Sequence, residues 1–180
     1  MNLPNKITLA RVILVPIFVV VMLIDKIPYN NIIACAIFCI ACFSDFLDGY
    51  LARKHKLVTN FGKFADPLAD KMLVAAAMLC LIGLGRLYSW VVIVIICREF
   101  IISGLRLIAV DNGVVIAASY WGKFKTVFQM FMCIFLIIDF DIAVINIIEQ
   151  ILIWISLALT VVSLVDYMYK NRKVITEGGM

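Results

Sequence analysis

Residues 31–84 read NIIACAIFCIACFSDFLDGYLARKHKLVTNFGKFADPLADKMLVAAAMLCLIGL. Two apolar runs flank a polar centre, and four aspartates stand at the borders between them. Asp45 and Asp48 precede the polar stretch, and Asp66 and Asp70 close it. A run of about 20 mostly apolar residues is long enough to cross a bilayer as a helix. The stretch therefore reads as two spans, Asn31–Tyr50 and Pro67–Leu84, joined by a polar loop.

Working outward, the same reading predicts spans at Ile7–Ile24, Tyr88–Val110, Tyr120–Ile138 and Ile142–Tyr169. Hydrophobic types supply 65 % of the 180 residues and charged types 16 %. Soluble domains run at about 45–50 % and 25 %, and too few polar groups remain here to cover a water-soluble globule. Composition thus excludes a soluble enzyme, a disordered chain and a basic nucleic-acid-binding face. The expected class is an all-α membrane protein with six transmembrane helices in one domain over residues 1–180. The first span has no small-x-small site after Leu23 and reads as a retained anchor. Six spans put 14 of the 16 Lys and Arg on one side, leaving Lys26 and Arg86 on the other. By the positive-inside bias both termini are expected in the cytoplasm.

The six cysteines, Cys35, Cys39, Cys42, Cys80, Cys97 and Cys133, all lie in apolar runs and read as small hydrophobes. Asp45, Asp48, Asp66, Asp70, Arg98, Glu99 and Arg106 resist so plain a reading. They sit within or against apolar helices, where an ionised group costs several kcal/mol unless paired or hydrated. Asp45 and Asp48 are separated by about 60° around a helix, and Asp66 and Asp70 by about 40°. Neighbouring antiparallel helices would bring the four carboxylates together, and so many like charges need cations. Oxygen ligands of this kind suit Mg²⁺ or Mn²⁺, two ions per site, in the manner of two-metal phosphoryl transfer. Gly49, Ala52 and Gly62 leave room for a close approach, and Arg53 offers an anion contact. Pro67 either opens the third helix with Asp66 as its cap or interrupts a helix begun near Asn60.

The pattern Asp45-x2-Asp48-Gly49-x2-Ala52-Arg53-x8-Gly62-x3-Asp66-x3-Asp70 resembles, with every position filled, the motif of the CDP-alcohol phosphotransferase family. The resemblance extends over essentially the whole chain. It implies a membrane-surface reaction in which a hydroxyl attacks the phosphorus next to the diacylglycerol of a CDP-lipid and CMP leaves. It further implies that Asp45, Asp48 and Asp66 are metal ligands and that Asp70 is a ligand and general base. Gly49, Ala52 and Gly62 would line the cytidine pocket, with Arg53 near the nucleotide. A homodimer is also implied.

A second cluster bears on the acceptor. Arg11, Arg98, Arg106, Lys123 and Lys125 would suit a phosphorylated acceptor, since guanidinium groups hold phosphate in a bidentate fork. The alternative is that these cations neutralise lipid headgroups. Asn2 to Arg11, Arg98-Glu99-Phe100 and Gly104-Leu105-Arg106 resemble the bacterial family members that join CDP-diacylglycerol to sn-glycerol 3-phosphate. That likeness makes Asn5 and Thr8 candidate CDP-lipid contacts, against a simpler role in starting the first helix. It also implies a multi-pass protein of a bacterial cell membrane with its active site facing the cytoplasm. Rival readings are a phosphatidylserine or phosphatidylinositol-phosphate synthase, or, in a different class, a divalent-cation transporter. Against the transporter, the aspartates gather at one end of their spans and not at the midplane.

Overall fold

The computed structural model describes residues 3–24, 26–54, 60–111, 119–140 and 142–172, with side-chain detail for 8–24, 26–44, 69, 71–109, 119–140 and 142–172. The described residues form six helices and no strand: α1 Leu3–Leu23, α2 Asn30–Lys54, α3 Asn60–Gly83, α4 Ser89–Asp111, α5 Tyr120–Ile138 and α6 Ala143–Lys170. α5 and α6 are long and apolar enough to cross a membrane. α4 has 23 residues but carries Arg98, Glu99 and Arg106. In α1 to α3 the apolar stretches Thr8–Leu23, Asn30–Ser44 and Lys71–Gly83 are shorter than the helices containing them.

Two helices run further than their apolar pattern. α2 continues past Tyr50 to Lys54, and α3 begins at Asn60, seven residues before Pro67. Hydropathy marks where lipid-compatible side chains stop, whereas a helix continues for as long as its backbone bonds propagate. Pro67 therefore lies inside α3, where its ring nitrogen forfeits one intrahelical bond.

The chain divides into two compact units. The first, Met1–Leu87 with Cys133–Phe140, holds α1, α2, α3 and the last turn of α5. Here α1 packs on both α2 and α3, and these two pack on each other. Phe18 and Phe38 meet with ring centroids 6.0 Å apart, in a core that includes Met22, Leu73 and Leu81. Ala34, Ala41 and Ala77 are fully buried, as expected where helix backbones approach closely without a hydrophobic drive. α3 stops in a Schellman arrangement, in which Arg86 N–H donates to Leu81 O at 2.9 Å and Gly85 N–H to Ile82 O at 3.0 Å. Gly85 adopts φ +73°, which a side chain would strain.

Arg86 then acts as a clasp. Its guanidinium pairs with Asp139 at 2.6 Å and donates to the carbonyls of Leu136 and Ile137 at 3.4 Å each. It also reaches Asn31 Oδ1 at 3.5 Å, so one cation ties the end of α5 to the start of α2. A positive group at a helix C-terminus also complements its dipole.

The second unit, Tyr88–Met132 with Asp141–Met180, holds α4, most of α5, and α6. Contacts between α4 and α6 climb in step: Trp90 with Trp154 (ring centroids 5.9 Å apart), Arg98 with Ser163 (3.0 Å), and Arg106 with Tyr167 (5.8 Å to the ring centroid). Both members rise in number together, so the two helices run parallel. α6 is inverted relative to a soluble helix. Its buried stripe is Glu149, Ile153, Ser156, Thr160, Ser163 and Tyr167, while Ile147, Ile151, Trp154, Val161 and Val165 face outward. Polar groups inside and apolar groups outside is the arrangement hydrocarbon surroundings favour.

Candidate active site

The aspartate motif occupies the two helix ends on either side of segment 55–59. Asp45, Asp48, Gly49, Ala52 and Arg53 lie on the final turns of α2, and Gly62, Asp66 and Asp70 on the first turns of α3. The side chains at these positions fall outside the described residues, as does that of Asn5 on α1. Backbone placement alone settles one question. Asp66 is the seventh residue of α3 and so does not occupy its cap. All four carboxylate positions belong to one unit, at the end of α2 and the start of α3, two consecutive helices that pack on each other. Oxygen donors in that number fit a hard divalent cation by their chemistry. Among the described residues no group of three or more His, Cys, Asp or Glu could hold a metal. The described cysteines are free thiols, and the Cys35 and Cys39 sulfurs lie 4.0 Å apart.

α1 supplies the neighbourhood of the first aspartate pair. Thr8 and Arg11 are both buried, each with 1 % exposure, one turn apart. Arg11 Nε donates to Ser44 Oγ at 3.4 Å, and Ser44 Oγ donates back to Ala41 O at 2.7 Å. Ser44 immediately precedes Asp45, so a buried cation is pinned to the turn of α2 where the motif begins. Hydropathy gave no reason to single out Ser44.

Four other expected cations lie in the second unit, and they divide. Lys125 and Arg98 are buried and share an anion. Glu99 Oε1 accepts from Lys125 Nζ at 2.5 Å and from Arg98 NH1 at 2.8 Å. Arg98 Nε also donates to Ser163 Oγ, which itself donates to Thr160 O at 2.9 Å. Such short charge-assisted bonds fix both cations, which burial would otherwise penalise. Arg106 lies further along α4 with its guanidinium over the Tyr167 ring. Lys123 stands apart: it is exposed, over the ring of Tyr120 at 5.5 Å.

Gly122 and Ser119 adjoin this cluster of charges on α4 and α5, and residue type alone did not flag them. Ser119 Oγ accepts from Gly122 N–H at 3.1 Å and caps the start of α5. A Cβ on Gly122 would come within 3.3 Å of Arg98 NH2. The absence of a side chain there lets α5 lie against the guanidinium.

Residues 1–162 match the CDP-alcohol phosphatidyltransferase family, and the chain belongs to it. A relative from Bacillus subtilis strain 168, named CDP-diacylglycerol–glycerol-3-phosphate 3-phosphatidyltransferase, is 43 % identical, covering 94 % of this chain and 95 % of its own. A relative of the same name from Haemophilus influenzae is 40 % identical over 93 % of this chain and 91 % of its own. A probable phosphatidylglycerophosphate synthase from Mycobacterium tuberculosis is 42 % identical over 71 % of this chain and 62 % of its own.

Proposed function

We propose that this protein transfers the phosphatidyl group of CDP-diacylglycerol to sn-glycerol 3-phosphate, giving phosphatidylglycerol phosphate and CMP. The observation that carries the reading is the unbroken eight-position motif, which runs from the end of α2 into the start of α3. The names of relatives matching nearly the full chain support the acceptor.

Asp45, Asp48, Asp66 and Asp70 hold two Mg²⁺ or Mn²⁺ ions. When bound, these supply charge neutralisation for a diphosphate that is otherwise stable in water. Asp70 also accepts the proton of the acceptor hydroxyl, whose oxygen attacks the phosphorus bearing the diacylglycerol. The bond from that phosphorus to the bridging oxygen breaks, and CMP departs with the electron pair. Gly49, Ala52 and Gly62 give the cytidine room, while Arg53, Asn5 and Thr8 contact the CDP-lipid. Arg11, Arg98, Arg106 and Lys125 serve the acceptor phosphate, whereas Lys123, exposed over the Tyr120 ring, does not.

The protein lies in a bacterial cell membrane as six spans with cytoplasmic termini and site, and works as a homodimer. Outward apolar faces and inward polar groups, as on α6, support the embedding. The test is CMP release by purified protein from CDP-diacylglycerol. Release is expected only with glycerol 3-phosphate and Mg²⁺ or Mn²⁺ present. Faster release with serine or inositol phosphate would overturn the acceptor.

A further inference from the structure

Near the C-terminal ends of α4 and α6 two buried donors lack partners. Arg106 Nε and Tyr167 Oη are each shielded from solvent, and neither makes a hydrogen bond. Tyr167 is 2 % exposed, and the Arg106 guanidinium lies over its ring, 5.8 Å from the centroid. Native proteins rarely leave such groups unmet, because each forfeits its hydration without replacement. Nearby polar groups are otherwise engaged: Ser163 serves Arg98, and Asp166 pairs through one oxygen with Lys170 at 2.7 Å. The second oxygen of Asp166 is also unmet, yet neither Arg106 Nε nor Tyr167 Oη reaches it.

Arg Nε can only donate, and a phenol readily donates, so the group that completes both is an acceptor. Next to a guanidinium, that acceptor is an anion. Arg106 lies five residues before the end of α4 and Tyr167 three before the end of α6. Both lie within two turns of their helix ends, and the Arg106 guanidinium sits over one face of the aromatic ring.

We propose that Tyr167 is a substrate-binding residue: its hydroxyl and Arg106 Nε together hold an oxygen of a substrate phosphate. This deepens the proposed reaction and rests on it for the identity of the substrate. The phosphate comes either from the acceptor or from the diphosphate of the CDP-lipid.

The test uses Tyr167→Phe in the full-length protein in phosphatidylcholine nanodiscs. That variant keeps the ring over Arg106 and deletes only the hydroxyl. The expected result is a rise of about tenfold in one substrate's KM, the size of losing one hydrogen bond to a charged group, with melting temperature and the other KM unchanged. A rise for glycerol 3-phosphate assigns the phosphate to the acceptor, and a rise for CDP-diacylglycerol assigns it to the nucleotide lipid. Binding of inorganic phosphate and of glycerol 3-phosphate, followed by intrinsic tryptophan fluorescence, provides a readout that needs no turnover. Arg106→Lys, which keeps the charge and deletes Nε, should weaken that binding to a similar degree. If both KM values and phosphate binding are unchanged in Tyr167→Phe, or the wild type binds neither anion, the inference fails. Failure of the proposed reaction shows separately, as a wild type that binds phosphate yet releases no CMP with glycerol 3-phosphate.

Discussion

Lys125 on α5 donates to Glu99 on α4 at 2.5 Å, through the carboxylate oxygen that also receives Arg98. One acceptor atom thus sets the separation of two cations from different helices. In the proposed reaction Glu99 acts through them, as a positioning residue. Glu99→Gln keeps an acceptor oxygen but removes the charge that holds both donors. The expected outcome is a KM for glycerol 3-phosphate raised about tenfold with kcat little changed. Glu99→Ala should in addition destabilise the protein by about 3 kcal/mol, because it leaves a buried ammonium without its anion. Steady-state kinetics with both substrates and a thermal melt check the pair.

Gly122 and Gly104 give opposite expectations. A Cβ at Gly122 would sit 3.3 Å from Arg98 NH2, whereas at Gly104 nothing lies within 4 Å. Gly122→Val should therefore shift the guanidinium and lower kcat/KM for the acceptor severalfold or more. Gly104→Ala should leave kinetics alone and stabilise the helix by up to about 1 kcal/mol, the propensity difference between the two residues. Parallel kinetics and melting of the two variants test the contrast.

The apolar pattern located all six helices and drew α5 at its observed limits, Tyr120–Ile138. It stopped short on α2 and α3 because motif residues such as Arg53 and Asp66 are polar while their backbone stays helical. Lys123 and Lys125 read alike in the sequence. Two residues apart, however, they point about 160° away from each other on a helix, so only one can face inward. Lys125 does, and Lys123 lies over Tyr120. Tyr167 could not be singled out beforehand. An aromatic in an apolar run is ordinarily packing, and its meaning depends on Arg106, which only the pairing of α4 with α6 brings near. The carboxylate motif was legible for the opposite reason, since its information lies in spacing within the chain.

Arg86 should matter for stability and not for chemistry. Its partners Asp139, Leu136 and Ile137 lie at the C-terminal end of α5, and Asn31 lies at the start of α2, the end of that helix remote from the aspartates. Arg86→Ala removes an ion pair and the guanidinium bonds to two helix-terminal carbonyls. With Asp139 partly exposed, the loss should be about 1–2 kcal/mol. A lowered melting temperature with both KM values unchanged is expected. A large change in either KM would show that the clasp reaches the reacting end.

Asp70 carries two roles in the proposed reaction, and they separate by experiment. On α3 it lies one turn after Asp66, so the two positions share one face of the helix. Asp70→Asn retains an oxygen donor but cannot take a proton from the acceptor. Loss of the base alone should reduce kcat by about 10²–10⁴-fold. If Asp70 is also a ligand, the Mn²⁺ concentration for half-maximal residual activity should rise as well. Asp45→Asn, at a position proposed as ligand only, should shift the metal requirement and regain part of its rate at high Mn²⁺. Chelation with EDTA should silence the wild type reversibly, with recovery on adding Mg²⁺ or Mn²⁺. A fully active Asp70→Asn variant would remove the base from this residue, and activity that survives exhaustive chelation would remove the metals from the motif.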